Sequence, residues 1–216
     1  MNSMDSRNNL ILSTAAFPPV EYFVLMVKYG HVLLEDDEHF NKQTYRNRYI
    51  INTANGPLTQ VIPVKRNHDR KTKIRNVGID YNYPWQRQYW RAIFAAYNSS
   101  AYFLFYKDEL KALFFQEYES LFEFNMDVLQ HILRLLQLDL SVGFTRQFVK
   151  NYQYALDMRY KVHPKAPVQL HLSPWAQVFD EKHGFNPKVS ILDLLFNKGP
   201  ESTLYLKQMA KQDIQF

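Results

Sequence analysis

The sequence predicts an α/β (or α+β) fold, with an N-terminal mixed sheet that has a βαβ-like opening and a β-hairpin, then a helical C-terminal half. Three observations carry this reading. An apolar run at Leu10–Ala15, a helical stripe from Val20 and a second apolar run at Val32–Leu34 succeed one another in little more than two dozen residues, the order of strand, crossover helix and strand. Two strand-like runs flank Asn55-Gly56, a strong hairpin signal. From Pro84 onward apolar residues recur at helical spacing.

Leu10–Ala15 reads as a buried strand ended by Pro18-Pro19. Proline fits the first turn of a helix, so a helix follows at once, with Val20, Phe23, Val24 and Val27 on one face and Gly30 as its left-handed stop. Arg48–Asn52 and Thr59–Val64 are the hairpin arms, and Pro63 marks the limit of pairing. Val77–Ile79 reads as one more short strand. Tyr89, Trp90, Ile93, Phe94 and Tyr97 define a helix interrupted by Ser99-Ser100, and Asp108–Phe115 a second. Leu121–Leu138 is the clearest helix, its buried stripe formed by Val128, Leu129, Ile132, Leu133 and Leu136. Thr145–Ala166 is mixed and basic. Trp175–Phe179 and Val189–Asn197 read as short helices, the latter closed by Gly199-Pro200. Without internal repeats, residues 1–216 read as a single domain, sheet-rich over 10–80 and mainly helical over 84–216.

The composition sets outer limits on function. With no cysteine there are no disulfides, thiolate metal sites or thiol nucleophiles, which suits a reducing compartment. No stretch approaches the roughly 18 consecutive apolar residues of a membrane span, and the polar start Met1–Asn9 is unlike a secretory signal; the expected location is the cytoplasm. Aromatics reach 16%, which fits either an aromatic core or a core built around a polar ligand site. Lys and Arg (26) exceed Asp and Glu (21), with the densest run at Lys65–Arg75. Such a run can track a nucleic-acid backbone, but charge patterning favours a solvated loop, so nucleic acid is not the expected partner.

Chemistry concentrates in Glu35–Arg48, a polar segment that leaves a buried strand, where α/β proteins place ligands. Lys42, Arg46 and Arg48 are suited to a phosphate or carboxylate. Asp36, Asp37 or Glu38 can bind sugar hydroxyls, orient an amine or take a proton, and the amides Gln43 and Asn47 both donate and accept. A solvated loop laced with salt bridges is the competing reading. Carboxylates at Glu35–Glu38 are also oxygen ligands for a hard cation, but the neighbouring cations favour self-neutralisation and no metal site is assigned. Among seven scattered histidines, His163, beside Lys165 and near Asp157 and Arg159, is the best functional candidate. GxGxxG, Walker, GxSxG and kinase signatures are all missing. With six glycines, a nucleotide would rest on side chains or a helix start such as Pro18–Glu21. No cofactor is indicated.

A wider set of residues resembles a known family. Ala16-Phe17-Pro18-Pro19-Val20-Glu21-Tyr22-Phe23, Lys42-Gln43-Thr44-Tyr45-Arg46-Asn47-Arg48, Ile62-Pro63-Val64, Trp85…Trp90…Ala96-Tyr97, Leu156-Asp157-Met158-Arg159, His163-Pro164-Lys165 and Gly184-Phe185…Ser190–Asn197, in this order, resemble the WbqC-like family. Its members occur among O-antigen and other surface-polysaccharide genes. The resemblance implies an enzyme passing an acyl or aminoacyl (glycyl) group to an amino sugar, with a sugar or nucleotide-sugar as the small-molecule partner. Asp36, Glu38 and Lys42 would then be catalytic, and Gln43, Arg46, Asn47, Arg48, Glu21, Asp157, Arg159 and Lys165 would bind substrate. Lys42, Asn47 and Arg48 fit the family motif best. Two departures stand out: Ser13-Thr14-Ala15 replaces a Gln-Pro-like pair, and Tyr89 stands where many members place His. A non-catalytic module for nucleotides, sugars or nucleic acid is the alternative.

Overall fold

In the computed structural model, which describes residues 9–65, 71–153 and 155–212, a four-stranded parallel sheet carries the chain. Its order is β5-β2-β1-β6, from β1 (Leu10–Ser13), β2 (His31–Glu35), β5 (Ser141–Phe144) and β6 (Leu156–Asp157). β1 is buried at every position, as a strand with neighbours on both edges and helices on its faces must be. Leu10 stands opposite Val32 and Ser13 opposite Glu35, while Leu10 and Ile11 pair with Leu156 and Asp157. The α/β class therefore holds, and the opening is a parallel βαβ unit.

Helix α1 (Val20–Tyr29) joins β1 to β2. It is buried from Val20 to Met26 because it lies between the sheet and α7 (Glu201–Ala210). Gly30, at φ 67°, donates its N–H to the Met26 carbonyl and ends the helix. The hairpin pairs β3 (Arg48–Thr53) with β4 (Gly56–Val61). Its loop is Ala54-Asn55, one residue earlier than Asn55-Gly56 suggests, and Gly56 takes the positive φ of 100° that follows the turn.

The second half holds α2 (Trp85–Tyr97), α3 (Phe103–Phe115), α4 (Leu121–Leu135), the short α5 (Asp180–His183), α6 (Ile191–Lys198) and α7. Ser120 and Glu123 cap α4 reciprocally, at 3.1 and 3.3 Å. That helix stops three residues short of Leu138 because Gln137 turns left-handed (φ 49°). One buried apolar cluster runs from Leu10 on β1 to Met209 on α7.

Several expectations need correction. The mainly helical half also supplies β5 and β6, strands of four and two residues, too short for any periodicity to show. Val77–Ile79 forms only isolated bridges, Ile79 to Val64 and Gly78 to Ser120. Trp175–Phe179 is not helical, because the Trp175 indole and Gln177 amide are drawn to a buried carboxylate and the helix starts only at Asp180. Gly199-Pro200 closes α6 but also opens α7. The start Met1–Asn8 and residues 66–70 of the basic run lie outside the described residues.

Candidate functional site

β1 has β2 on one side and β6 on the other, so the loops leaving β1 and β6 diverge at the carboxyl ends of the strands. In an open parallel sheet that divergence makes a crevice. The loop after β2 (residues 36–47) and the loop after β6 (158–165) both border it, and main-chain contacts fix them. Ala16 N–H bonds the Tyr45 carbonyl at 2.9 Å, and Asn47 exchanges bonds with Ile62 through its carbonyl (2.8 Å) and its Nδ2 (3.0 Å).

Most of the charge in this region is paired internally. Arg46 donates Nε and Nη2 to the two oxygens of Glu38 at 2.7 and 2.5 Å, both side chains buried. Burial raises the Glu38 carboxyl, and Arg46 opposes that rise. Arg159, also buried, reaches Glu35 at 2.9 Å and grips Asp157 at 2.9 and 2.7 Å. The same Nη2 that meets Asp157 also donates to the Val149 carbonyl at 2.7 Å. Glu35 is completed by Thr145 Oγ1 (2.9 Å) and the Asp37 N–H (3.1 Å). Asp36 pairs with Arg75, and Asp37 with Lys73. So two cations of the basic run are neutralised by the loop after β2. Among the described residues no group of three or more His, Asp or Glu could hold a metal ion.

Three cationic or polar side chains stand apart from this pairing. Arg48 is half-buried, its Nε is sealed from solvent without a partner among the described residues, and burial lowers its proton affinity. Lys165 donates to Gln43 Oε1 at 2.5 Å. His163 lies in the field of Arg46, Lys165 and Arg48; burial first, and then those charges, lower its pKa from the usual 6.5. Its Nδ1 faces the Lys165 N–H at 3.1 Å. A neutral ring accepting there must carry its proton on Nε2, so His163 offers a donor rather than a base.

The remaining candidates divide between core and rim. Glu21, in the first turn of α1, accepts the Gln169 N–H and is 4% exposed. Burial raises its carboxyl to about 7, against the pull of the Gln169 and Leu170 amides and Lys188. The helix start itself is closed to a ligand: Pro19 bridges Ser190, and Ile191 N–H bonds the Pro18 carbonyl at 2.9 Å. Lys42 is exposed and unpartnered among the described residues. Asn47 acts as a brace, though its buried Oδ1 has no bond among the described residues. Thus the segments around Arg46, Asp157, Arg159 and Lys165 do converge, whereas Glu21 sits under the 163–170 segment.

Sequence reasoning missed the aromatic residues here. Phe148, Tyr152 and Tyr160 lie 5.1, 4.9 and 5.6 Å from the Arg159 guanidinium. It also missed a buried polar hub. Asp193 on α6 accepts Trp175 Nε1 (2.8 Å), Tyr97 OH (3.0 Å) and Gln177 Nε2 (3.1 Å), and Gln177 Oε1 accepts Asn52 Nδ2 (3.0 Å). With Asn197 Nδ2 at 3.3 Å, four donors, two of them indole and phenol, converge on one carboxylate; the only sequence signal is a lone Asp in the apolar helix Ile191–Lys198.

These features describe an α/β protein with a cluster of cationic side chains beside the carboxyl ends of a parallel sheet. The chain belongs to the WbqC-like protein family, whose family model matches residues 14–165. It is also similar to the uncharacterized protein Rv1507c of Mycobacterium tuberculosis, 29% identical over 216 positions that cover 86% of this chain and 91% of that one. No solved structure matches. No helix among the described residues is long and apolar enough to cross a membrane.

Proposed function

We propose that the crevice binds the anionic part of a small metabolite through Arg48, His163 and Lys165, and that the protein passes an acyl or aminoacyl group to an amino sugar in surface-polysaccharide assembly. The observation that carries the binding step is Arg48. Every neighbouring buried arginine has its carboxylate, and a guanidinium left half-desolvated without one is stabilised by an incoming phosphate or carboxylate. Exposed Lys42 and Gln43, on the rim of the same loop, would meet the polar remainder of that ligand.

For transfer, the amine attacks the carbonyl carbon of an activated acyl donor, the bond to the donor's leaving group breaks, and the amine proton must go to a base. Asp36 and Glu38, the expected bases, are committed to Arg75 and Arg46. Glu21, whose proton affinity lies near neutral, is buried beneath the 163–170 segment, so the amine proton would pass to solvent water. A screen of acyl and aminoacyl donors with amino sugars tests this reading. Turnover should be lost in Arg48→Ala and Lys165→Ala, and wild-type turnover in both would remove the assignment.

The pairing of all four carboxylates between Glu35 and Glu38 favours a second reading, a non-catalytic module for nucleotides or sugars. Saturable binding without turnover of any donor would select it.

A further inference from the structure

Tyr160 is half exposed (50%) although both neighbours in the chain toward β6, Arg159 and Met158, are buried. It is not a loose surface residue. Lys161 and Val162 both return their N–H groups to the Met158 carbonyl at 3.2 Å, so a tight turn fixes the backbone that presents the ring. The buried guanidiniums of Arg46 and Arg159 each lie 5.6 Å from the ring centroid. Phe148, 42% exposed, lies against the same Arg159. Arg46 meanwhile belongs to the field around His163, together with Arg48 and Lys165. A half-open aromatic ring and the group formed by Arg48, His163 and Lys165 therefore share one neighbour, Arg46.

We propose that Tyr160 is the stacking platform for the base of a nucleoside diphosphate, whose phosphates occupy Arg48, His163 and Lys165. The inference rests on the anion-binding reading of the crevice and names the ligand class it takes. A base and a bare sugar make different demands on the ring. Sugar C–H groups are drawn to an electron-rich aromatic face. Two guanidiniums against Tyr160 pull its π density toward themselves, which leaves the open part better matched to the π surface of a base. Every base has such a surface, so stacking recognises nucleotides as a class without selecting among them. His163 suits the phosphate end, because its Nε2–H donates to a phosphate oxygen.

The test measures binding of inorganic pyrophosphate, ribose 5-phosphate, UDP and ADP by calorimetry at constant ionic strength, on the wild type, Tyr160→Leu and Arg48→Ala. UDP and ADP should bind the wild type about tenfold or more tighter than pyrophosphate or ribose 5-phosphate, the range expected for stacking one base. Tyr160→Leu should erase that advantage and leave pyrophosphate unchanged, while Arg48→Ala should weaken every ligand. Nucleotides no tighter than pyrophosphate on the wild type would overturn the platform whatever the variants do. So would wild-type nucleotide affinity in Tyr160→Leu. If pyrophosphate binding still depends on Arg48 in either case, the anionic crevice stands without its base subsite. Ribose 5-phosphate as tight as UDP would assign the ring to a sugar, and failure of all four ligands would overturn both readings.

Discussion

Arg46 and Glu38 form a two-bond ion pair in the protein interior, and Arg48, two residues along the same segment, has no such partner among the described residues. Arg46 lies in the loop after β2 and folds back onto Glu38, whereas Arg48 opens β3 and its charge acts on His163.

Breaking the buried pair should be costly. Glu38→Gln or Arg46→Ala leaves one uncompensated interior charge or an empty guanidinium site, with an expected loss of about 3–5 kcal/mol. Replacing both residues by Leu and Met should recover a large part of that loss, as urea denaturation would show.

Arg48→Ala should behave in the opposite way. Its half-desolvated guanidinium has an Nε sealed from solvent without a bond among the described residues, so removing it should leave the melting temperature unchanged or raised. Inorganic pyrophosphate should stabilise the wild type and not this variant in the same thermal experiment.

Glu21 sets a pH dependence. Its carboxyl is raised by burial to about 7 from an ordinary 4.5, so the folded state holds the proton more tightly than the unfolded one. Stability should fall as pH rises from about 4.5 to 7 and then level off, by about 3 kcal/mol for this group. Asp193, raised by burial to about 6 from 3.8, acts in the same direction at lower pH. Glu21→Gln should flatten the upper part of the melting profile, gaining most over the wild type above pH 7.

Gly199 is a conformational requirement. It ends α6 at φ 53°, and a Cβ there would meet the Tyr102 ring at 2.4 Å. Gly199→Ala should destabilise the α6–α7 junction by more than about 1 kcal/mol, measured by chemical denaturation, because the backbone strain and the clash add.

The opening βαβ unit and the hairpin were legible because each is coded locally: apolar runs, a helical stripe, a Gly30 stop and an Asn-Gly turn within a few residues. The position of the loop after β2 followed directly from them. Strands β5 and β6 were not legible, since four and two residues carry no pattern and are strands only because β2 and β1 offer open edges. The Trp175–Phe179 segment misled for a related reason. Its apolar residues suit a helix, yet Asp193, 18 residues from Trp175, claims the indole.

By itself the sequence determined the class of the fold, the family and the segment Glu35–Arg48 as the place to look, because periodicity and turn chemistry act between near neighbours. Which of its charges are free was decided by the tertiary structure alone. Glu35 meets Arg159 from 124 positions away, Asp36 meets Arg75, and Lys165 reaches Gln43 across 122 positions. Only when these distant groups are brought within a few ångströms does the Coulomb energy in a poorly solvated interior select partners, and that selection leaves Arg48 without a carboxylate among the described residues.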